Sequence, residues 1–172
     1  AQAVADYVVD WLAGSETQKI LVFAHHRSVL DAVDQRMLAK YPNSHIRIDG
    51  QVPTGARAQL VRKFQTCARV RVALLSMTAA GVGLKLTAAS TVLFSERHWT
   101  HGVLTQAEDR AHRIGQTHDS VQIVYMVCKD ESLSLDMTMW KMLGKKIETL
   151  GQVVDGNEVC NNLHARVHVV MW

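Results

Sequence analysis

Residues 19–24 of the chain are KILVFA, and this stretch decides the fold class. Five apolar residues in a row follow one lysine, which is typical of a strand buried on both faces of a parallel sheet. Apolar residues three and four apart predict one amphipathic helix before it, over residues 1–13, and another after it, over residues 29–40. Ser28 is expected to cap the second helix, whose apolar face should carry Val29, Val33, Met37 and Leu38.

The same alternation of short strands and helices continues along the chain. Apolar runs predict strands over residues 45–48, 70–76, 90–94 and 121–128, and periodic segments predict helices over residues 56–65, 102–114 and 133–150. This spacing predicts an α/β domain with a mostly parallel sheet, which we place over residues 1–150. Residues 151–172 break the pattern as a tail, for which an extra strand, a helix and a docked segment all stay open.

The composition is that of one globular domain with a substantial core. The chain has 172 residues, of which 48% are hydrophobic and 20% charged, and no apolar run is long enough to predict a transmembrane helix. The net charge of +3 is compatible with nucleic-acid binding without requiring it. Three widely separated cysteines argue against a disulfide framework or a zinc ribbon, and we predict no metal site. Because the chain begins at Ala1 without a methionine, we expect it to be part of a longer protein.

A predicted helix near the middle of the chain carries two arginines on one face. Gln106, Arg110 and Arg113 are spaced i, i+4 and i+7, which places one amide and two guanidiniums on the same side of a helix. Two like charges one turn apart repel each other, so this face suggests an external anion, and phosphate suits the planar guanidinium. The alternative is a solvated helix in which Glu108 or Asp109 neutralises the arginines.

Polar residues follow several of the predicted strands. In open parallel sheets, ligands bind beyond the carboxyl ends of the strands. His25, Asp49 and Ser76 come at such ends, and the helix with the two arginines follows the fourth strand. This convergence favours phosphate binding at that edge of the sheet.

The loop after the third strand is a second candidate for phosphate contact. Its glycines, Gly81 and Gly83, allow backbone amides to approach an anion, and the hydroxyls of Ser76 and Thr78 can donate to phosphate oxygens. The alternative is a tight turn that needs positive φ at one of the glycines. The chain has neither a GxxxxGK[ST] phosphate loop nor an acidic magnesium box, so a partner domain is expected to hold a nucleotide and its metal.

Four stretches together resemble the Swi/Snf-related DNA-dependent ATPases of helicase superfamily two. QAEDRAHRIGQ (106–116) is similar to their motif VI, LLSMTAAGVGLKLTAAS (74–90) to motif V, and ILVFAHH (20–26) to motif IV. IRIDGQVPTGAR (46–57) resembles the segment that has R-x-D-G followed by an arginine. The sequences FAHH (23–26) and HIRIDG (45–50) resemble those of the annealing-helicase, HARP-like branch.

The resemblance implies the second RecA-like lobe of an ATP-driven DNA translocase or annealing helicase, with helices on both faces of its sheet. Arg110 and Arg113 match the arginine fingers, Gln106 matches the first position of motif VI, and Gly81 and Gly83 match the motif V glycines near the ATP site. ATP and Mg²⁺ would be held mainly by a first lobe elsewhere in the parent protein. The lobe alone is therefore expected to be inactive.

The resemblance also implies DNA contacts and a location in the nucleus. Ser76 and Thr78 match motif V positions that lie toward the DNA backbone, and Arg47 belongs to the R-x-D-G segment. His25 could meet nucleic acid, although a polar loop at a strand end explains it equally well. DNA repair at replication forks, nucleosome remodelling and a degenerate binding module without catalysis are the functions left open.

Overall fold

The computed structural model describes residues 1–80, 83–96, 120–127 and 165–171, of which 79, 80, 127 and 165–171 are described by their backbone. Helices and strands alternate from the start of the chain, as the sequence predicts. In chain order the elements are α1 (Gln2–Gly14), β1 (Ile20–Ala24), α2 (Arg27–Lys40), β2 (His45–Ile48), α3 (Thr54–Thr66), β3 (Val72–Ser76), α4 (Met77–Ala80), β4 (Thr91–Phe94), β5 (Val121–Val127) and β6 (Ala165–Met171).

The six strands form one sheet in the order β2-β3-β1-β4-β5-β6, and every neighbouring pair is parallel. The prediction of a mostly parallel sheet is therefore confirmed. Between β3 and β4 the chain passes over β1 to the other half of the sheet, so β1 lies between strands that come later in the sequence. Such crossovers bring the carboxyl ends of distant segments to one edge.

Side chains alternate between the two faces of the sheet and build a core on each. Leu21 and Phe23 of β1 pack on the face that also buries Phe64 of α3. Ile20 and Val22 point to the opposite face, where they pack with residues of α1 and α2. Helices therefore cover both faces, which is why β1 is apolar at every position and fully buried.

The apolar faces of α1 and α2 follow the predicted spacing with one error. Val29, Val33 and Met37 are buried as expected, but Leu38 is 55% exposed. On a helix, Leu38 lies about 100° around from Met37 and leaves the stripe that faces the sheet. Leu30, which is three residues before Val33, is buried in its place.

The start of α2 differs from the prediction. The helix begins at Arg27 with His26 as its N-cap residue, and no side chain caps it locally. Ser28 falls within the first turn and is not the cap. A carboxylate from another part of the chain lies at this end of the helix, as described below.

The remaining predictions have different outcomes. β3 begins at Val72 rather than at residue 70, because the Val70 N–H closes a turn by donating to the Cys67 carbonyl at 3.1 Å. Within the predicted tail, Ala165–Met171 is the extra strand, although the boundary at residue 150 stays a prediction. The predicted helices over residues 102–114 and 133–150 lie outside the described residues. Among the residues described, no helix is long and apolar enough to cross a membrane.

Candidate nucleic-acid interface at the carboxyl edge of the sheet

The strand register brings the predicted polar residues to one edge of the sheet. Ala24 of β1 is the register partner of Ser76 of β3, so His25 follows directly beside Ser76. Ile48 of β2 pairs with the residue before Ser76, which places Asp49 next to it on the other side. We call this end of the described strands the carboxyl edge.

Ser76 and Thr78 form the first group at the carboxyl edge. Their hydroxyl oxygens are 3.0 Å apart, one at the end of β3 and the other in α4. Thr78 is exposed and Ser76 is half-buried, so the pair is accessible to a ligand. Hydroxyls both donate and accept, which suits contact with phosphate oxygens. The structure thus brings two predicted DNA-contacting residues together, while the contact itself stays a prediction.

The loop after β1 is held by Glu96, a residue that our sequence analysis missed. Its Oε2 accepts the main-chain N–H groups of His25 and His26 at 2.7 and 2.9 Å. Its Oε1 lies 2.6 Å from Nδ1 of the His26 ring. The two imidazoles meet edge to face with their centres 5.0 Å apart. One carboxylate therefore fixes both the backbone and the ring orientation of this loop.

Glu96 is itself held at the end of β4 by its neighbour. The Ser95 N–H and hydroxyl both donate to the Phe23 carbonyl, at 3.0 and 2.9 Å. The Glu96 side chain is 22% exposed, whereas that of His26 is 68% exposed. An acidic residue two positions after a buried strand was the sequence signal for this contact, but its partners are 71 and 70 residues away in the chain.

Arg47 lies among three carboxylates on the outer strand of the sheet. Its Nη1 is 2.7 Å from Asp31 and 3.3 Å from Asp34, and its Nε donates to Asp49 at 2.9 Å. Burial opposes the charge, but the hydrogen bonds and charges of Asp31 and Asp49 prevail and raise the pKa of Arg47. The side chain is 19% exposed, and its charge is paired with aspartates of the same chain. Contact of Arg47 with DNA stays a prediction.

The Asp49 carboxylate also shapes the loop after β2. Its Oδ1 accepts the Gln51 N–H at 3.0 Å, which closes a turn after β2. Arg57 donates from Nε to the Val52 carbonyl at 2.9 Å and holds the far side of the same loop. Burial would raise the pKa of Asp49, but the bonds from Gln51 and Arg47 outweigh it and lower that pKa.

Of the residues predicted at the ATP site, only Gly83 belongs to the described part of the chain. Its φ is +67°, a left-handed conformation that favours glycine, and a Cβ there would meet nothing within 4 Å. This open backbone fits the close approach of an anionic group, and it equally fits the predicted tight turn. Gln106, Arg110, Arg113 and Gly81 lie outside the described residues. Within the ranges that the structure describes, no group of three or more His, Cys, Asp or Glu could hold a metal ion.

At the opposite edge, where the strands begin, Lys19 and Arg71 donate to main-chain carbonyls. We call this end of the sheet the amino edge. Lys19 is 8% exposed and donates to the Cys67 carbonyl at 2.8 Å and to the Phe64 carbonyl. Burial lowers the pKa of Lys19, and its Nζ lies 5.2 Å from the centre of the Phe64 ring. Arg71 donates to the Leu12 carbonyl at 3.1 Å, at the end of α1.

Comparison with known proteins gives a family match and similar chains. The family described as helicase conserved C-terminal domain matches residues 3–115. The chain is 46% identical over 155 residues to the SWI/SNF-related matrix-associated actin-dependent regulator of chromatin subfamily A-like protein 1 homolog of Caenorhabditis elegans, covering 89% of this chain and 22% of that protein. It is 45% identical over 158 residues to the DNA annealing helicase and endonuclease ZRANB3 of Mus musculus, covering 92% of this chain and 14% of that protein.

A solved structure shares the fold. The crystal structure of the C-terminal part of the Fun30 ATPase domain superposes with a TM-score of 0.70 at 28% sequence identity, covering 79% of this chain and 43% of that one. This likeness, together with the parallel sheet, confirms the predicted RecA-like helicase-lobe fold. The chain spans only 14–22% of the length of the two relatives.

Proposed function

The chain belongs to the helicase conserved C-terminal domain family, in its Swi/Snf-related branch, and we propose that it is the second ATPase lobe of an ATP-dependent DNA translocase or annealing helicase. In this proposal a first lobe in the same parent protein binds most of the nucleotide. The lobe described here supplies arginines that contact the nucleotide. It also supplies polar side chains that contact the DNA backbone. The names of the relatives, which include an annealing helicase, support this class of activity.

The observation that carries the proposal is the convergence of polar groups at the carboxyl edge. The Ser76 and Thr78 hydroxyls lie 3.0 Å apart on β3 and α4, and the register sets His25 beside them. Ligands of open parallel sheets bind at this end. These groups can meet phosphodiester oxygens through hydroxyl and imidazole donors, without reading the sequence of the bases.

Arg110 and Arg113 are the proposed catalytic contribution of the lobe. They approach the nucleotide on the partner lobe and stabilise the negative charge that develops as the terminal phosphate leaves. Gln106, Gly81 and Gly83 line the same site, and Gly83 offers an open backbone there. ATP with Mg²⁺, held mainly by the first lobe, supplies the phosphoanhydride whose hydrolysis drives movement along DNA.

The experiment is a substitution of Arg110→Ala in the full-length parent protein. We expect DNA-stimulated ATP hydrolysis to fall by about 10³-fold, the effect of losing an arginine finger. Arg36→Ala is the matched control, because Arg36 is half exposed and pairs with Asp6 on the helices away from the carboxyl edge. Turnover in Arg110→Ala equal to that of the control would overturn the catalytic proposal. It would favour the alternative of a lobe that binds nucleic acid or protein without helping hydrolysis.

Nucleosome remodelling is the second candidate, favoured by the words "regulator of chromatin" in the name of the nematode relative. The same ATPase assay separates the two when it is repeated with duplex DNA, forked DNA and assembled nucleosomes at equal DNA concentration. Strongest stimulation by forks supports annealing-helicase activity in DNA repair at replication forks. Strongest stimulation by nucleosomes supports remodelling. Both activities place the protein in the nucleus.

A further inference from the structure

Glu96 connects two strand ends that are far apart in the sequence. It follows β4, while the groups it binds follow β1, and Ser95 joins the same two strands through the Phe23 carbonyl. Its carboxylate is mostly buried and accepts two main-chain N–H groups and one ring nitrogen. A carboxylate that receives several donors is held in one orientation, and its negative charge is largely offset locally.

The consequence for the loop is a fixed presentation of two imidazoles. The Nδ1 bond sets the orientation of the His26 ring, and the edge-to-face contact sets the His25 ring against it. His26 remains 68% exposed despite this bond. An exposed ring that is held in place loses less conformational entropy on binding than a freely rotating one.

We propose that Glu96 is a positioning residue for DNA, and that it holds His26 so that the imidazole contacts the phosphate backbone. When the ring carries both protons, Nδ1 donates to Glu96 and Nε2 can donate to a phosphate oxygen. The His26 contact adds to the neighbouring pair of Ser76 and Thr78 on the same edge. This inference rests on the proposed function, because it needs the carboxyl edge to face DNA.

The test uses the full-length parent protein with Glu96→Ala, Glu96→Gln and His26→Ala. DNA-stimulated ATPase is measured against duplex DNA concentration, and DNA affinity without nucleotide is measured at several salt concentrations. We expect Glu96→Ala to raise the half-saturating DNA concentration about tenfold, while turnover at saturating DNA changes less than about twofold. The slope of log affinity against log salt should decrease by about one, the value for one lost phosphate contact.

The other variants separate positioning from stability. Gln keeps one oxygen that can accept the two N–H groups, but its NH2 group cannot accept the Nδ1 proton of His26, so Glu96→Gln should keep the loop folded and still lower the DNA affinity. His26→Ala should reproduce the change in salt slope, and adding Glu96→Ala to it should change the slope no further. Glu16→Ala, an exposed acidic residue near the amino edge, is the control that should bind DNA normally.

Two failures are distinguishable. If the wild-type parent shows DNA-stimulated ATPase but Glu96→Ala and Glu96→Gln keep its half-saturating DNA concentration and salt slope, the positioning role is wrong and the proposed function stands. A wild-type parent without DNA stimulation rejects the proposed function. A loss of thermal stability in Glu96→Ala with unchanged DNA response in Glu96→Gln and His26→Ala would make Glu96 a structural residue only, and would also overturn the inference.

Discussion

The two edges of the sheet use charge in different ways. At the carboxyl edge Arg47 faces three aspartates and the His26 ring faces Glu96, while Arg57 donates to the Val52 carbonyl. At the amino edge Lys19 and Arg71 face main-chain carbonyls. Charge at the amino edge completes the ends of helices, whereas charge at the carboxyl edge holds the loops after β1 and β2.

The topology explains this difference. In an alternating α/β chain every helix ends near the edge where the next strand begins, so the last carbonyls of α1 and α3 collect at the amino edge. Lysine and arginine satisfy those carbonyls and complement the negative end of each helix dipole. Helix starts and loop N–H groups collect at the carboxyl edge, where they attract carboxylates and phosphates. Glu96 accepts N–H groups at the start of α2, and Lys19 donates to carbonyls at the end of α3. The two residues are therefore counterparts at opposite edges.

The largest effect in this comparison should come from Lys19→Met. Methionine keeps the apolar stem but removes both hydrogen bonds to the carbonyls of Phe64 and Cys67, in a site that is 8% exposed. We expect the free energy of unfolding to fall by about 3 kcal/mol, since one buried and one partly buried acceptor lose their donor. Denaturant unfolding measures it, with the exposed Lys63→Met on α3 as control. A loss no larger than that of the control would show that Lys19 does not hold the amino edge.

A smaller loss of stability is expected at the carboxyl edge from Arg47→Ala. Without the guanidinium, the carboxylates of Asp31, Asp34 and Asp49 repel one another. We expect a loss of about 2 kcal/mol, less than for a fully buried ion pair, because water reaches part of this cluster.

The control for Arg47→Ala is Arg36→Ala, which removes a half-exposed pair with Asp6. Such surface pairs contribute less than about 1 kcal/mol. Both variants are unfolded by denaturant at neutral pH and at low salt. Equal losses in the two variants would mean that the Arg47 cluster behaves as an ordinary surface ion pair, and the contrast between the edges would be weaker than we infer.

Sequence patterns predicted the sheet well because its core depends on local apolar runs. KILVFA alone indicated a strand buried on both faces, and periodicity found Val29, Val33 and Met37 of α2, although it included the exposed Leu38 and missed the buried Leu30. Leu38 was wrong because spacing cannot tell which edge of an apolar stripe meets the sheet. The Ser28 cap was wrong because the helix already begins at Arg27, which puts Ser28 inside the first turn.

The candidate site was less accessible to sequence reasoning. The positions of His25, Asp49 and Ser76 followed from the rule that strand ends share an edge. Their partners did not, because Arg47 meets Asp31 and Asp34 only after α2 packs beside β2. Residue types that suit DNA also suit internal ion pairs, so the sequence alone could not tell that Arg47 is already paired. The roles of Arg110 and Arg113 stay predictions.

The smallest expected effect is a dependence of stability on pH at Asp49. The pKa of this carboxyl is lowered in the fold, below its ordinary value of 3.8, because the bonds from Gln51 and Arg47 outweigh burial. Its contribution to stability is therefore fully present above the ordinary value, and it is lost as the pH falls through the lower folded pKa. Wild type should exceed Asp49→Asn in unfolding free energy at about pH 5, and the difference should shrink toward about pH 2.5.

With Arg47→Ala in both proteins the difference should shrink less, since one cause of the lowered pKa is gone. A wild-type advantage that is constant across this pH range would show that the ion pair does not favour the ionised Asp49, and the carboxyl edge would then owe its order to packing rather than to paired charge.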